Sequence, residues 1–100
     1  MIPGSFKLIN REYKVVELPK SLAEDLRRHG DICRDDAVIR VEMVDNMDMR
    51  ESTFYHELVH ALLESSSKPR LSKKEAFVDS LAAVLHQYMQ TKKGKLLKDK

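Results

Sequence analysis

The chain has 100 residues, of which 42% are hydrophobic and 34% are charged, and its formal net charge is +2. A chain of this length forms one domain with a small core. The positive excess lies in residues 92–100, since without the five lysines and one aspartate of that segment the net charge is −2. The rest of the chain is therefore not basic, and we expect no nucleic-acid partner.

Cysteine content and hydropathy exclude further classes of protein. Cys33 is the single cysteine, so an internal disulfide and a zinc site made of cysteine pairs are both excluded. Residues 1–7 lack the apolar stretch of a secretory signal. No apolar run approaches the roughly 20 residues that a membrane span requires. We expect a cytoplasmic domain without a membrane partner.

The N-terminal segment predicts a β-hairpin followed by a short helix. Apolar residues in segments 6–9 and 13–18 flank the polar trio 10–12, a pattern typical of two strands joined by a turn. Residues 20–29 carry two leucines at helical spacing, and Gly30 ends this predicted helix.

Residues 31–44 predict a second hairpin. Its arms, 31–34 and 37–44, flank an acidic pair, and apolar and charged residues alternate along the second arm. That alternation is typical of a half-buried strand. We expect residues 37–43 to be the edge strand of the sheet, where the backbone offers hydrogen bonds to an extended peptide.

The C-terminal half predicts two helices, over residues 50–65 and about 72–90. Apolar residues recur along both at the spacing of one helix face. We expect residues 1–91 to form the domain and residues 92–100 to be a flexible basic tail. The elements together predict an α+β fold, in which a small, mainly antiparallel sheet of two hairpins packs on two core helices.

Residues 56–60 read His-Glu-Leu-Val-His, the H-E-x-x-H pattern. On a helix, His56 and His60 lie about 40° apart and one turn from each other, so both imidazoles can reach one zinc ion at about 2.0–2.1 Å. Glu57 lies about 100° from His56, beside such an ion. Its carboxylate can there take a proton from water and deliver it to a leaving amine. The motif predicts His56 and His60 as zinc ligands and Glu57 as the general base.

The apolar residues of this helix lie on the side opposite the histidines, roughly 140–240° from His56. They are Phe54, Leu58, Ala61 and Leu62. The alternative interpretation is that two surface histidines flank a solvated glutamate on an exposed face. The separation of an apolar face from a histidine face favours the metal site.

A catalytic zinc site needs a third protein ligand, with the fourth position left to water. Leu63 and Ser66 stand where the longer H-E-x-x-H-x-x-G-x-x-H pattern requires Gly and His. Glu75 is the best candidate, and Asp79 lies four residues later on the same side of the second helix, where it can orient a ligating imidazole. An antiparallel helix pair would bring this edge beside the two histidines.

Other roles remain open for these residues. Residues 72–75 read Ser-Lys-Lys-Glu, so the alternative role for Glu75 is that of the last residue of a capping box. Glu64, two turns from the first histidine, is a weaker candidate ligand. His86 is about 16 Å along the helix from Glu75 and is predicted to lie at the surface or contact a partner. His29 is predicted to place a positive charge at the C-terminal end of the helix predicted over residues 20–29.

The H-E-x-x-H motif followed by Glu75 and Asp79 resembles the gluzincins, whose pattern is H-E-x-x-H and then E-x-x-x-D on a later helix. The resemblance implies a base role for Glu57, zinc ligation for Glu75 and support of a ligating histidine for Asp79. The whole layout, two hairpins followed by the H-E-x-x-H helix and a second helix with Glu75, is also similar to small metallopeptidase-like proteins of bacteriophages and to the metallopeptidase domain of repressor-cleaving regulators. The motif resemblance covers about residues 50–90, and the N-terminal match is one of architecture only. This similarity implies a minimal zincin fold and, for a phage-encoded chain, the host cytoplasm.

The function predicted on these grounds is zinc-dependent hydrolysis of a peptide bond in a peptide or protein substrate, with Glu57 activating the water. Larger members of the family add a second subdomain that supplies a His or Tyr to stabilise the oxyanion, and we expect no such subdomain within these 100 residues. Two alternatives follow: a zinc-binding module without turnover, and a phage or bacterial interaction protein whose helices or tail bind another factor.

Overall fold

Four strands and four helices lie within residues 2–94, the part of the chain that the computed structural model describes; side chains are described for residues 2–91. In chain order the elements are β1 (Ser5–Leu8), β2 (Arg11–Glu17), α1 (Lys20–Leu26), β3 (Gly30–Cys33), β4 (Val38–Val41), α2 (Met47–Ser65), α3 (Pro69–Ser72) and α4 (Glu75–Gly94).

The strands form one mixed sheet in the order β1-β2-β4-β3. β1 pairs antiparallel with β2, and β3 pairs antiparallel with β4, so both predicted hairpins are present. β2 and β4 run parallel, with Lys14 opposite Val38 and Glu17 opposite Val41. Parallel strands require a crossover connection, and α1 lies in that connection. The predicted α+β class, with a small, mainly antiparallel sheet and two core helices, is confirmed.

The position of the edge strand was predicted incorrectly. Residues 38–41 form β4, which has β2 on one side and β3 on the other and is therefore an inner strand. The edge on this side of the sheet is β3, Gly30–Cys33. The alternation of apolar and charged residues identifies a strand but not its neighbours, because pairing with β2 depends on a crossover between segments distant in sequence.

The main core cluster joins the sheet to α2 and α4, and a smaller second cluster holds Tyr13, Ala37 and Ala61. The buried residues of the main cluster are Ile39, Val41, Phe54, Tyr55, Val59, Val78 and Ala82. β4 contributes from the sheet, and α4 contributes from one side of its first half. From α2 the cluster contains Phe54, as predicted, together with Tyr55 and Val59, whereas the predicted core residues Leu58 and Leu62 are only half-buried. These contacts set α4 beside α2, which positions the beginning of α4 next to the histidine face of α2.

The helix ends differ from the predicted ones for local reasons. α2 begins at Met47 because the Asn46 side chain accepts a hydrogen bond from the Met49 backbone N–H at 3.1 Å, which caps the helix. α4 begins at Glu75, since residues 69–72 form the separate short helix α3. α4 continues to Gly94, three residues into the predicted tail, and residues 95–100 lie outside the described residues. Among the described helices, none has the length and apolar character needed to cross a membrane.

Candidate metal centre

Helix α2 carries His56, Glu57 and His60 on the side that lines a cleft, whereas Val59 of the same motif is buried in the core. The ring centroids of His56 and His60 are 5.0 Å apart, as expected for residues one turn apart. His60 and Glu57 are buried, whereas His56 is half-buried. The motif residues thus line the inner wall of a cleft rather than an open surface.

Glu75, the first residue of α4, faces both histidines. Its Oε1 lies 3.1 Å from His56 Nε2, and its Oε2 lies 3.5 Å from His60 Nε2. Ligands of a tetrahedral zinc ion with bonds of about 2.0–2.1 Å lie about 3.3 Å from one another. One ligand atom from each of the three residues lies within 4.8 Å of the others. The donor set and its spacing therefore fit one zinc ion.

The Nδ1 atoms of both histidines have hydrogen-bond partners on the far side from Glu75. His56 Nδ1 is 2.7 Å from Asp79 Oδ1, and His60 Nδ1 is 2.7 Å from Ser72 Oγ. A carboxylate can only accept, so His56 Nδ1 carries the proton in that pair. Asp79 therefore occupies the position predicted from its spacing to Glu75, and it orients His56 with Nε2 directed at Glu75.

Ser72 is the site residue that sequence reasoning assigned to a different role. Its hydroxyl donates to Glu64 Oε2 at 2.8 Å, so the same oxygen must accept the proton of His60 Nδ1. Glu64 Oε1 in turn accepts from Arg34 Nε at 2.5 Å. The capping-box arrangement is not formed, because Ser72 ends α3 and Glu75 starts α4.

The resulting chain, Arg34–Glu64–Ser72–His60, joins residues from three parts of the fold: the turn after β3, helix α2 and helix α3. Burial raises the pKa of Glu64, but the hydrogen bonds from Arg34 and Ser72 outweigh it and hold that pKa below its ordinary value. Glu64 therefore stays ionised and keeps Ser72 oriented as a donor. Local sequence places only His60 and Glu64 side by side, one turn apart on α2. Ser72 reaches them through the packing of α3 on α2, and Arg34 reaches Glu64 from the turn after β3.

We predict that Ser72→Ala weakens zinc binding by roughly 10–100-fold, the usual size of a lost hydrogen bond to a ligating histidine. The variant leaves the buried His60 Nδ1–H without its partner and frees the ring to rotate. Competition titration with a fluorescent zinc chelator measures the affinity. Ser21→Ala, an exposed serine in α1, is the matched control; equal affinities for the two variants would contradict the role of Ser72.

The protonation state of His60 favours a cation between these residues. Burial lowers the pKa of His60 from its ordinary value, although the charge of Glu75 partly opposes the effect. A neutral His60 with its proton on Nδ1 presents the Nε2 lone pair to the Glu75 carboxylate at 3.5 Å. Two acceptors that face each other in this way repel unless a cation lies between them. This arrangement is compatible with a cation bound between His60 and Glu75.

Glu57 differs from Glu75 in its surroundings. Its side chain is buried, and burial raises its pKa from about 4.5 to about 7, with the charge of His56 opposing the rise. The group thus titrates near neutral pH, where a general base is most effective. Glu57 lies beside the edge strand, since a Cβ atom placed on Gly30 would be 3.7 Å from Glu57 Cγ.

The site opens into a cleft of about 540 Å³ between α2 and the edge strand β3. Gly30, Asp31 and Ile32 line it from the strand, and the motif residues line it from the helix. β3 is an edge strand of the sheet, and its residues line this cleft. An extended chain laid along that edge would pass Glu57 and the three candidate ligands.

Gly30 lets β3 approach α2 closely. A Cβ atom there would meet Thr53 Cγ2 at 2.5 Å and the Arg40 carbonyl oxygen at 2.8 Å. We predict that Gly30→Ala lowers the free energy of unfolding by about 1–3 kcal/mol, since the strand must shift to remove the overlap. Urea denaturation measures the change. Gly4→Ala, where a Cβ meets no atom within 4 Å, is the control, and similar losses for both would contradict a tight β3–α2 contact.

The remaining histidines lie elsewhere than predicted. His86 is half-buried between α4 and α2, where its Nε2 is 3.1 Å from Glu51 Oε1 and its ring stacks on Tyr55. It is an interhelical contact rather than a surface residue. His29 lies beyond the end of α1 and pairs with Glu42 at 2.8 Å, at the rim of the cleft.

A second group of potential ligands, Asp48, Glu51 and His86, also lies within 4.8 Å. It is close to the N-terminal end of α2, and the positive end of a helix dipole disfavours a cation. The Asp48 carboxylate accepts a hydrogen bond from Gln90 Nε2 at 3.1 Å. These bonds join α2 to α4, and we assign the group a structural role.

The first group is therefore the better candidate for a metal centre, because three potential ligand atoms converge, each imidazole is oriented through its Nδ1 atom, and a buried carboxylate lies beside them. Comparisons of the chain with protein-family models, with curated proteins and with solved structures found no match.

Proposed function

We propose that this chain is a zinc-dependent peptidase of the gluzincin type, with zinc held by His56, His60 and Glu75. The observation that carries the proposal is the convergence of two Nε2 atoms on the Glu75 carboxylate at 3.1 and 3.5 Å, while both Nδ1 atoms are engaged by other residues. Two imidazoles and one carboxylate are the ligand set of a hydrolytic zinc site, in which a fourth position remains for water.

Zinc in such a site supplies a Lewis acid and lowers the pKa of water. Glu57 provides the proton transfer. Its buried carboxylate, with a pKa raised to about 7, accepts a proton from the attacking water and returns it to the leaving amine. Asp79 and Ser72 hold the two imidazoles in one tautomer and one orientation, so the ligand atoms need no rearrangement.

The substrate class follows from the free edge of β3. We infer that a peptide or a protein segment binds there in an extended conformation, with backbone hydrogen bonds to residues 30–33. Residues of β3 line the same cleft as Glu57, which would place a scissile amide beside the base. Nucleic acid and membrane are not proposed as partners, and the proposed location is the cytoplasm, or the host cytoplasm for a phage-encoded chain.

The test combines metal content with turnover. We expect about one zinc per chain by mass spectrometry, hydrolysis of an unbiased peptide library, loss of hydrolysis on chelation, and its return when zinc is added back. His60→Ala is the control and is expected to lose both zinc and activity. Bound zinc without hydrolysis would replace the proposal with the zinc-binding module, and a folded chain that binds no zinc would replace it with the interaction protein.

A further inference from the structure

Helix α4 carries an apolar stripe on its outer surface, formed by Phe77, Leu81, Val84 and Tyr88. Their exposed fractions are 41%, 39%, 65% and 59%. The spacing of 4, 3 and 4 residues places all four on one side of the helix, in the pattern of a coiled-coil seam. The stripe is thus a continuous apolar surface along most of the helix, rather than a set of scattered residues.

The surface around the stripe is also uncharged. No Asp, Glu, Lys or Arg occurs between Asp79 and Lys92, in a chain of which 34% is charged. The exposed flanking residues Ser80, Gln87 and Thr91 are neutral. A solvated helix face in such a chain would carry charged side chains, so this face has the composition of the centre of an interface, where charged residues are depleted.

The stripe is separate from the candidate metal centre. Glu75 and Asp79 lie roughly 180° from it around the axis of α4, and the core residues Val78 and Ala82 lie roughly 100° from it. A molecule bound to the stripe therefore leaves the cleft open. Occupation of the stripe is independent of the function proposed for the cleft.

We propose that the stripe pairs with the same stripe of a second copy of this chain, with the two α4 helices antiparallel. The spacing is symmetric about the midpoint between residues 82 and 83. A two-fold axis at that point sets Phe77 against Tyr88 of the partner subunit and Leu81 against Val84 of the partner subunit. Aromatic residues then meet aromatic ones and aliphatic residues meet aliphatic ones, which makes the surface self-complementary.

The helix dipoles support the antiparallel orientation. Antiparallel pairing of two α4 helices opposes their dipoles, whereas parallel pairing would align them.

The area that the two stripes can bury limits the affinity of the proposed dimer. From their exposed fractions, the four side chains present roughly 400 Å² per chain, or on the order of 800 Å² in the pair. The neutral flanking residues raise this value towards about 1,200 Å², the lower limit of specific interfaces. We therefore expect a reversible dimer with a Kd of about 10–100 μM rather than a permanent one.

Sedimentation equilibrium tests the pairing. Between about 1 μM and 1 mM, a range that brackets the Kd expected of a small interface, the apparent mass should rise from 11.6 kDa towards twice that value. Leu81→Glu should weaken dimerisation by about 10-fold or more, since it buries an unpaired charge. Ala76→Glu, exposed on α4 outside the stripe, should not. A monomer at every concentration, or equal effects of both variants, would overturn the proposal.

Cross-linking tests the orientation, in a Cys33→Ser background. Mixed Phe77→Cys and Tyr88→Cys chains should form a disulfide-linked pair on oxidation. Phe77→Cys alone should not, because antiparallel pairing separates the two copies of that position by about 16 Å along the helix. Cross-linking of Phe77→Cys alone, with none in the mixture, would show parallel pairing and overturn the inferred symmetry. Circular dichroism confirms that each variant is folded.

Discussion

Replacing Glu57 with Gln is expected to lower peptide hydrolysis by about 10²–10⁴-fold, the usual contribution of a general base, while zinc stays near one per chain. Gln has the same shape but cannot accept the proton of the attacking water. Because Glu57 faces the cleft beside the ligands and the ligand positions are filled by other residues, its charge is not required to hold the metal. Initial rates and metal content measured on one preparation separate the two effects.

Loss of zinc from Glu57→Gln would contradict this division of roles, since it would make Glu57 a ligand.

The same substitution also has an expected effect on the stability of the metal-free protein. Burial raises the pKa of Glu57 to about 7, so the buried neutral form favours folding. That contribution is fully present below the unfolded pKa, near 4.5, and is lost as pH rises through about 7.

Glu57→Gln removes this titration. In the presence of chelator, the variant should exceed the wild type in stability at pH 8 by up to about 3 kcal/mol, and the difference should shrink towards pH 5. Urea denaturation at the two pH values measures it. A difference that does not change with pH would mean that Glu57 is already ionised in the folded metal-free protein.

Replacing Glu75 with Ala is expected to weaken zinc binding by on the order of 10²–10³-fold, since one of three protein bonds to the ion is lost. In the absence of zinc the same change should cost only about 0.3–1 kcal/mol, the value of an acidic residue in the first turn of a helix. Glu75 is exposed, so the metal-free variant should remain folded. Zinc titration and chelator-treated denaturation, run in parallel, give the two quantities.

Asp79→Asn is the graded control for this experiment. Asp79 contacts His56 Nδ1 rather than the ligand side of the ring, so its replacement should reduce zinc affinity by only roughly 10–100-fold. Should Glu75→Ala retain full zinc affinity while Asp79→Asn loses it, Asp79 would be the third ligand. The gluzincin resemblance would then lose its main support.

The parts of the site that depend on helix periodicity were predictable from the sequence. His56 and His60 are one turn apart in any α-helix, and Glu57 is then necessarily beside them. Glu75 and Asp79 are likewise four residues apart on one helix, so their position on the same side of that helix was also predictable. The sequence pattern also predicts the α+β class and both hairpins, because alternation along a strand and turn residues between strands are local signals.

Pairings between distant segments were decided only by the tertiary structure. β4 became an inner strand because the chain crosses over to run parallel to β2. The sequence of residues 37–43 is equally compatible with an edge. The position of His86 was also decided by tertiary structure, because its contacts with Glu51 and Tyr55 form only when α4 packs on α2.

Ser72 shows the distinction most directly. The local pattern Ser-Lys-Lys-Glu predicts a cap within a single helix, yet the chain places Ser72 at the end of α3 and Glu75 at the start of α4. The Ser72 hydroxyl then meets His60 and Glu64 across the α2–α3 contact. Residue type and periodicity determine which side chains can bind a metal ion and which can orient its ligands. Packing between helices determines which of them meet, because those distances depend on the core that all the elements share.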